Sequence, residues 1–267
     1  MRNRLHFLIT PHGKEEIPML KNLDTEFTTP VFVTFMGQAG FLFRFSNGTV
    51  VGVDLYLSDC CYRYVGFKRL MPYLVDPREL SLDLLICTHA HYDHFDPDSV
   101  PVLLSEPKTQ MLAAYDVKEE AARLGLEEKK IRYIKERDIV GTCGITVEAL
   151  PCDHGEDTPH AVGLLIKGDG RRIVIAGDTS FHEEYFTSEK LKGADLFIFP
   201  INGAYGNLNE EEGARAVGLL EPKLAVPCHY WNFAEHGGNP ALFVDALAEL
   251  GGTSTYELMR PGETITI

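Results

Sequence analysis

Apolar and polar positions along the chain fall into two successive blocks of the same design. Residues 31–36, 40–45 and 49–55 are short apolar or alternating runs broken by Gly37, Gly40 and Gly48, which predicts an antiparallel meander. Residues 82–88 are apolar without interruption. That pattern predicts a strand covered on both faces. Asp96-Pro97-Asp98 marks a helix start, followed by a strand over 109–113, a helix over 117–124 and a strand over 131–134. The design then repeats: strands over 145–150, 161–166 and 172–176, then strand 196–200, helix 210–220, strand 224–228 and helix 240–250. Residues 254–259 and 264–267 read as closing strands.

Two β-rich layers with helices outside them satisfy this order. The expected class is α/β (α+β), a four-layer αββα sandwich of two mixed sheets flanked by helices. Residues 58–77 form an excursion rich in aromatic and basic side chains, among them Tyr62, Arg63, Tyr64, Phe67, Lys68 and Arg69. Residues 1–30, with Pro11, Gly13, Pro18 and Pro30, read as an irregular lead-in packed on the domain. No Pro/Gly/Ser linker and no short-period repeat divides the rest, so residues 31–267 are expected to form one domain.

Composition narrows the partners. The 267 residues are 45% hydrophobic and 24% charged, an ordinary globular balance. A formal net charge of −14 repels DNA and RNA, whose binding rests on cations that neutralise phosphates, and no dense basic run offsets it. A small anionic substrate stays open, because a few local cations can dominate a cleft. Cys60, Cys61, Cys87, Cys143, Cys152 and Cys228 are scattered without a CxxC pair or zinc-ribbon spacing. The first residues lack the apolar stretch of a signal peptide, and no run of about 18 apolar residues is present. The expectation is a cytoplasmic protein with reduced thiols and no membrane partner; self-association into a homo-oligomer stays open.

Chemistry concentrates in Thr88-His89-Ala90-His91-Tyr92-Asp93-His94, directly after the uninterrupted apolar run. Imidazole nitrogens and a carboxylate at this spacing suit Zn²⁺ and related first-row ions. A chance cluster of surface histidines is the plain alternative, and the position after a buried strand counts against it. Further candidates follow other expected strands: His154 in Pro151-Cys152-Asp153-His154, Asp178 in Gly177-Asp178-Thr179, and His229 in Pro227-Cys228-His229-Tyr230. Taken singly, Asp178 also reads as a helix N-cap and His229 as a satisfied core histidine. Loops at strand ends are where a sheet best fixes binding residues.

These motifs, in this order, resemble the metallo-β-lactamase superfamily. The resemblance implies that His89, His91 and His154 hold one divalent ion, that Asp93, His94 and His229 hold a second, and that Asp178 bridges them. Asp54, in Val51-Gly52-Val53-Asp54, matches an acidic residue that supports such ligands from behind. A narrower likeness joins Gly37-Gln38-Ala39-Gly40-Phe41, Asp76-Pro77, residues 199–206 and residues 226–230 to the branch containing bacterial L-ascorbate-6-phosphate lactonase. That branch has Asp where this chain has His154, a departure that shifts the expected ion from Mn²⁺ toward Zn²⁺.

The implied cofactor is two divalent metal ions, Zn²⁺ or Mn²⁺, and the implied reaction is hydrolysis by a hydroxide activated between them. Asp93 orients the water and carries its proton. The expected substrate is a lactone or a phosphorylated small molecule. A phosphodiesterase of small or nucleotide substrates is the second enzyme reading, and a metal-binding scaffold without turnover is the alternative of another class. His160, His182, Tyr205, Trp231 and His236 are candidate pocket residues; each has an equally ordinary role in packing or on the surface. Arg63, Lys68 and Arg69 are candidates for a phosphate group, with a solvated charged face as the plain reading.

Overall fold

The computed structural model describes residues 29–267; the expected lead-in over 1–30 therefore lies, except for Thr29 and Pro30, outside the described residues. The first half supplies β1 (Phe32–Gly37), β2 (Gly40–Arg44), β3 (Val50–Val53), β4 (Leu84–Cys87), β5 (Gln110–Ala114) and β6 (Ile131–Ile134). The second supplies β7 (Ile139–Thr142), β8 (Ile145–Leu150), β9 (Gly163–Gly168), β10 (Arg171–Ile175), β11 (Leu196–Pro200), β12 (Leu224–Cys228) and β13 (Thr255–Tyr256). A last strand, β14 (Thr264–Thr266), returns to the first sheet beside β1.

Among the described residues the strands form two sheets, in the orders β14-β1-β2-β3-β4-β5-β6 and β13-β12-β11-β10-β9-β8-β7. Each sheet is mixed. β1, β2 and β3 pair antiparallel and β3 to β6 pair parallel; β7 to β10 pair antiparallel and β10 to β13 parallel.

Alternation of side chains explains the layering. In β4, Leu84 and Ile86 join the core between the sheets, where Phe41 and Phe43 meet Leu164 and Ile175. Leu85 and Cys87 point the other way, against Val100 and Leu103 of α2 (Ser99–Ser105) and Val117 of α3 (Val117–Arg123). The second sheet repeats this with Phe197 and Phe199 against Val217 of α4 (Glu210–Leu220) and Phe243 of α5 (Pro240–Leu250). Each such side chain contributes about 2 kcal/mol by leaving water. The αββα sandwich with two mixed sheets is thus the observed fold.

Differences from the sequence reading are local. β7 gave no usable pattern because only Val140 is buried in it. The strand expected over 254–259 shrinks to Thr255–Tyr256, and Met259 turns into the inter-sheet core. Inside the 58–77 excursion a short helix, α1 (Cys60–Val65), closes on Gly66, whose φ of +82° makes the left-handed stop. No described helix is long and apolar enough to cross a membrane.

Candidate metal centre

Loops at the ends of strands from both sheets converge on one point. Asp54 follows β3, residues 88–94 follow β4, His154 lies beyond β8, Asp178 beyond β10 and His229 directly after β12. Gln38 reaches the same point from the β1–β2 turn. Five non-glycine residues around it hold positive φ: Gln38 at +56°, Asp54 at +48°, Tyr205 at +56°, His229 at +63° and Trp231 at +60°. Each costs on the order of 1 kcal/mol, and such strain collects where side chains must be aimed rather than relaxed.

The candidate ligand atoms fall into two groups, each a candidate half-site. His91 Nδ1 lies 3.1 Å from His89 Nε2 and 3.0 Å from His154 Nε2. On the other side, His229 Nε2 lies 3.3 Å from His94 Nε2 and 3.2 Å from Asp93 Oδ2. Asp178 Oδ2 stands between them, 3.0 Å from His229 Nε2, 3.3 Å from His94 Nε2 and 3.7 Å from His154 Nε2. Ligands about 2.1 Å from a shared ion at tetrahedral angles sit about 3.4 Å apart. Spacing and donor chemistry therefore both fit divalent cations, and the sets His89/His91/His154, His89/His94/Asp178 and Asp93/His94/His229 each have ligand atoms within 4.8 Å of one another.

Hydrogen bonds behind the ligands fix which nitrogen faces inward. Asp54 Oδ2 lies 2.9 Å from His94 Nδ1 and accepts from Thr88 Oγ1 at 2.6 Å, while Oδ1 accepts from the Thr88 amide at 2.8 Å. Thr88 Oγ1 in turn stands 3.2 Å from His89 Nδ1. One carboxylate thus orients a ring in each half-site and leaves Nε2 of both rings toward the centre. Asn207 Nδ2 donates to Asp178 Oδ2 at 2.8 Å.

Charge divides the half-sites. Burial holds His89 well below the usual imidazole range, lowers His91, and drives His154 down to about 4. All three rings are neutral and offer lone pairs at pH 7. Burial also works against the charge on His94 and His229, yet the Asp178 carboxylate outweighs it, with Asp93 adding to the effect. His94 rises well above its ordinary value and His229 to about 9. Asp93 and Asp178 are held well below the carboxylate range by His94 and His229, against the effect of burial.

The weaker candidates divide. His236 stacks on His229 with ring centroids 4.9 Å apart and planes 7° apart, and Phe67 and Tyr205 pack on it at 5.7 and 5.4 Å. Tyr205 and Trp231 are exposed. His160 stays out of the ligand sets: its amide donates to Asp116 Oδ2 at 2.9 Å and its ring packs on Tyr115. His182 meets Asp153 at 2.8 Å, also outside them. Arg63 pairs with Asp98, and Arg69 donates to the Tyr56 and Ser58 carbonyls while covering the Tyr56 ring at 4.1 Å. Both are taken up in holding the 58–77 segment; Arg63 and Lys68 are exposed and Arg69 is half-buried.

Three residues that the sequence reading did not place at this centre belong to the construction. Gln38 and Asn207 contact candidate ligands directly. Asp96, fully buried, accepts from Leu57, Ser58, Asp98 and Ser99, tying the loop after β3 to the end of the histidine run. Gln38 stood in a quoted motif; for Asn207 no sequence signal distinguished it from any loop asparagine.

Known proteins are similar to this chain in sequence and in fold. A UPF0173 metal-dependent hydrolase of Saccharolobus solfataricus is 27% identical over 237 residues, covering 87% of this chain and 98% of that protein. The metallo hydrolase Igni18 of Ignicoccus hospitalis superposes with a TM-score of 0.73 at 22% identity, over 90% of this chain and 99% of that one. The metallo-beta-lactamase fold protein YhfI of Bacillus subtilis has a TM-score of 0.67 at 17% identity, over 89% of this chain and all of that one (100%). At those identities the two structures speak for the fold. The sequence profile of the beta-lactamase superfamily domain matches residues 55–230, from the end of β3 to just past His229, and the chain belongs to that metallo-β-lactamase superfamily.

Proposed function

We propose that this chain, a metal-dependent hydrolase by family and by donor set, opens a lactone or a related small phosphorylated ester with two divalent cations as cofactor. The observation that carries the reading is the pair of half-sites sharing Asp178 Oδ2. His89, His91 and His154 would hold one ion and Asp93, His94 and His229 the other; Zn²⁺ and Mn²⁺ both suit the donors. Such ions supply Lewis acidity and make water acidic enough to serve as a nucleophile near neutral pH.

The chain's own residues do the rest. Asp93 is ionised and its side chain is 14% exposed, so it can orient the attacking water and take up its proton. Asp54 and Thr88 hold rings in place and Asn207 holds Asp178. His236, Phe67 and Tyr205 build an aromatic wall beside His229, with Phe67 edge-on and Tyr205 tilted against the His236 ring, a surface that suits a small organic substrate. The motifs that resemble the lactonase branch supply residues of this wall and of the half-site beneath it, Gln38 and Tyr205 among them, which favours a lactonase-like substrate. With Arg63 and Arg69 engaged elsewhere, the lactone is the favoured member of the pair.

A small-molecule substrate agrees with the −14 charge, which disfavours nucleic acid. All six cysteines are unpaired, in keeping with a reducing compartment such as the cytoplasm. Protein loaded with Zn²⁺ or Mn²⁺ and offered lactones, phosphodiesters and thioesters tests the reading. Lactone turnover is expected. Turnover of phosphodiesters alone moves the assignment, and tight metal binding with no turnover of any class leaves a scaffold.

A further inference from the structure

We propose that Gln38 is a ligand of the second cation through its side-chain oxygen, which makes the Asp93/His94/His229 half-site richer in oxygen than its neighbour. The proposal rests on the two-ion reading above. Gln38 is 1% exposed, and its carbonyl accepts from the His229 amide at 2.8 Å, so the residue is anchored to a candidate ligand through its main chain.

The side-chain amide already stands where a ligand would. Gln38 Nε2 lies 2.7 Å from Asp93 Oδ2 and 3.1 Å from His229 Nε2, in the range found among the ligand atoms themselves. Gln38 Oε1 is buried and has no hydrogen-bond partner, an arrangement that costs free energy wherever it persists. In the ion-free protein the N–H belongs toward Asp93, because a carboxylate accepts it. A cation among Asp93, His94 and His229 reverses that preference. Half a turn about the Cγ–Cδ bond exchanges the two atoms and brings the oxygen to the position Nε2 now holds.

His236 accommodates both orientations. Its Nδ1 lies 3.3 Å from Gln38 Nε2 and accepts in one tautomer while donating in the other. After the turn the half-sites differ in kind: three imidazoles and Asp178 on one side, two imidazoles with Asp93, Asp178 and Gln38 oxygens on the other. Nitrogen-rich, four-coordinate surroundings suit Zn²⁺, and oxygen-rich surroundings of higher coordination suit Mn²⁺.

Calorimetric titration of ion-free protein with Mn²⁺ and Zn²⁺, with metal content per chain after dialysis, tests this on wild type, Gln38→Met and Gln38→Glu. Methionine keeps the bulk without the oxygen; glutamate supplies an oxygen and a charge. Expected are two ions in wild type, an unchanged first affinity in Gln38→Met, and a second weakened about 10-fold or more, with the larger loss for Mn²⁺. Gln38→Glu is expected to bind the second ion more tightly than wild type. Unchanged second-site affinity in Gln38→Met, or equal weakening of both sites, overturns the role of Gln38 while leaving the two-ion reading intact. A wild-type protein that takes one ion or none overturns both. Should Gln38→Met fail to fold, Gln38→Glu decides alone, and no gain in second-site affinity overturns the proposal.

Discussion

Asp54 Oδ2 lies 2.9 Å from His94 Nδ1, with both side chains buried, and this contact holds the inward face of the ring open for a ligand role. Three donors point at the Asp54 carboxylate: the Thr88 amide, the Thr88 hydroxyl and the His94 ring. An asparagine offers one oxygen and one NH₂ group, so at least one donor would face another donor. Asp54→Asn is therefore expected to fold yet bind metal about 10- to 100-fold more weakly. Equilibrium dialysis with metal analysis checks it; wild-type affinity would show that the ring needs no such partner.

Asp178 is the single carboxylate common to both half-sites. Asp178→Ala removes a shared oxygen and leaves Asn207 Nδ2 with Asn202 Oδ1 as its remaining acceptor. The expected result is a loss of about one ion per chain and of most hydrolytic activity. His154→Ala is expected to lose metal and His160→Ala to keep it, because only the former ring lies in a ligand set. The reverse pattern would mean that the third histidine is His160.

Asp96 carries a structural load out of proportion to its place beside the histidine run. It receives six hydrogen bonds at 2.7–3.2 Å from residues 57, 58, 98 and 99 while fully buried. Asp96→Ala strands those donors, and hydrogen bonds to a buried charge are the costly ones to break. A loss of about 3 kcal/mol of unfolding free energy is expected, read from urea titration. A change below about 1 kcal/mol would mean that water replaces the carboxylate.

What the sequence made legible follows from burial. β4 and β11 read as strands because each is buried on both faces, which leaves an uninterrupted apolar run. β7, with Ile139 exposed and Gly141 in its middle, carries no such run. The histidine cluster announced itself by spacing. Gln38, Asp96 and Asn207 did not, since one polar residue in a loop looks the same whether it meets water or a ligand; only the convergence of separate loops gives each a partner. Likewise the cations of the 58–77 segment looked available until Arg63 and Arg69 were seen bound to Asp98 and to main-chain carbonyls.

Acid stability offers a check away from the centre. Asp195 is buried just before β11 and accepts from Lys223 Nζ and the Arg172 amide, each at 2.8 Å. Burial works to raise its carboxyl, but Lys223, the Arg172 amide and Arg171 outweigh burial and hold it below its usual range. A carboxyl that is more acidic folded than unfolded binds fewer protons when folded. It therefore stabilises above the ordinary aspartate range and loses that contribution as the pH falls through its folded value. Asp195→Asn is expected to lower the melting temperature at pH 7 and to matter progressively less at acid pH, as the pH falls through the folded value of the wild-type carboxyl. An equal drop at neutral and acid pH would assign the effect to packing.

Metal uptake should separate the two half-sites by their protons. In the ion-free protein burial keeps His89, His91 and His154 neutral, with His154 near 4. An ion entering there at pH 7.5 displaces no proton. His94 and His229 are different: burial opposes their charge, yet Asp178 and Asp93 keep both rings protonated, His229 up to about 9. His94 can keep its Nδ1 proton on Asp54, but Nε2 must give one up before it can act as a ligand, and so must His229. Binding of the second ion is thus expected to release about one to two protons and to strengthen as the pH rises from 6 to 9. The first ion's affinity is expected to stay flat over that range. Calorimetry in buffers of different ionisation enthalpy counts the protons directly. If both ions release the same number, the rings of the two half-sites carry equal charge before loading, and the electrostatic division described for this centre is wrong.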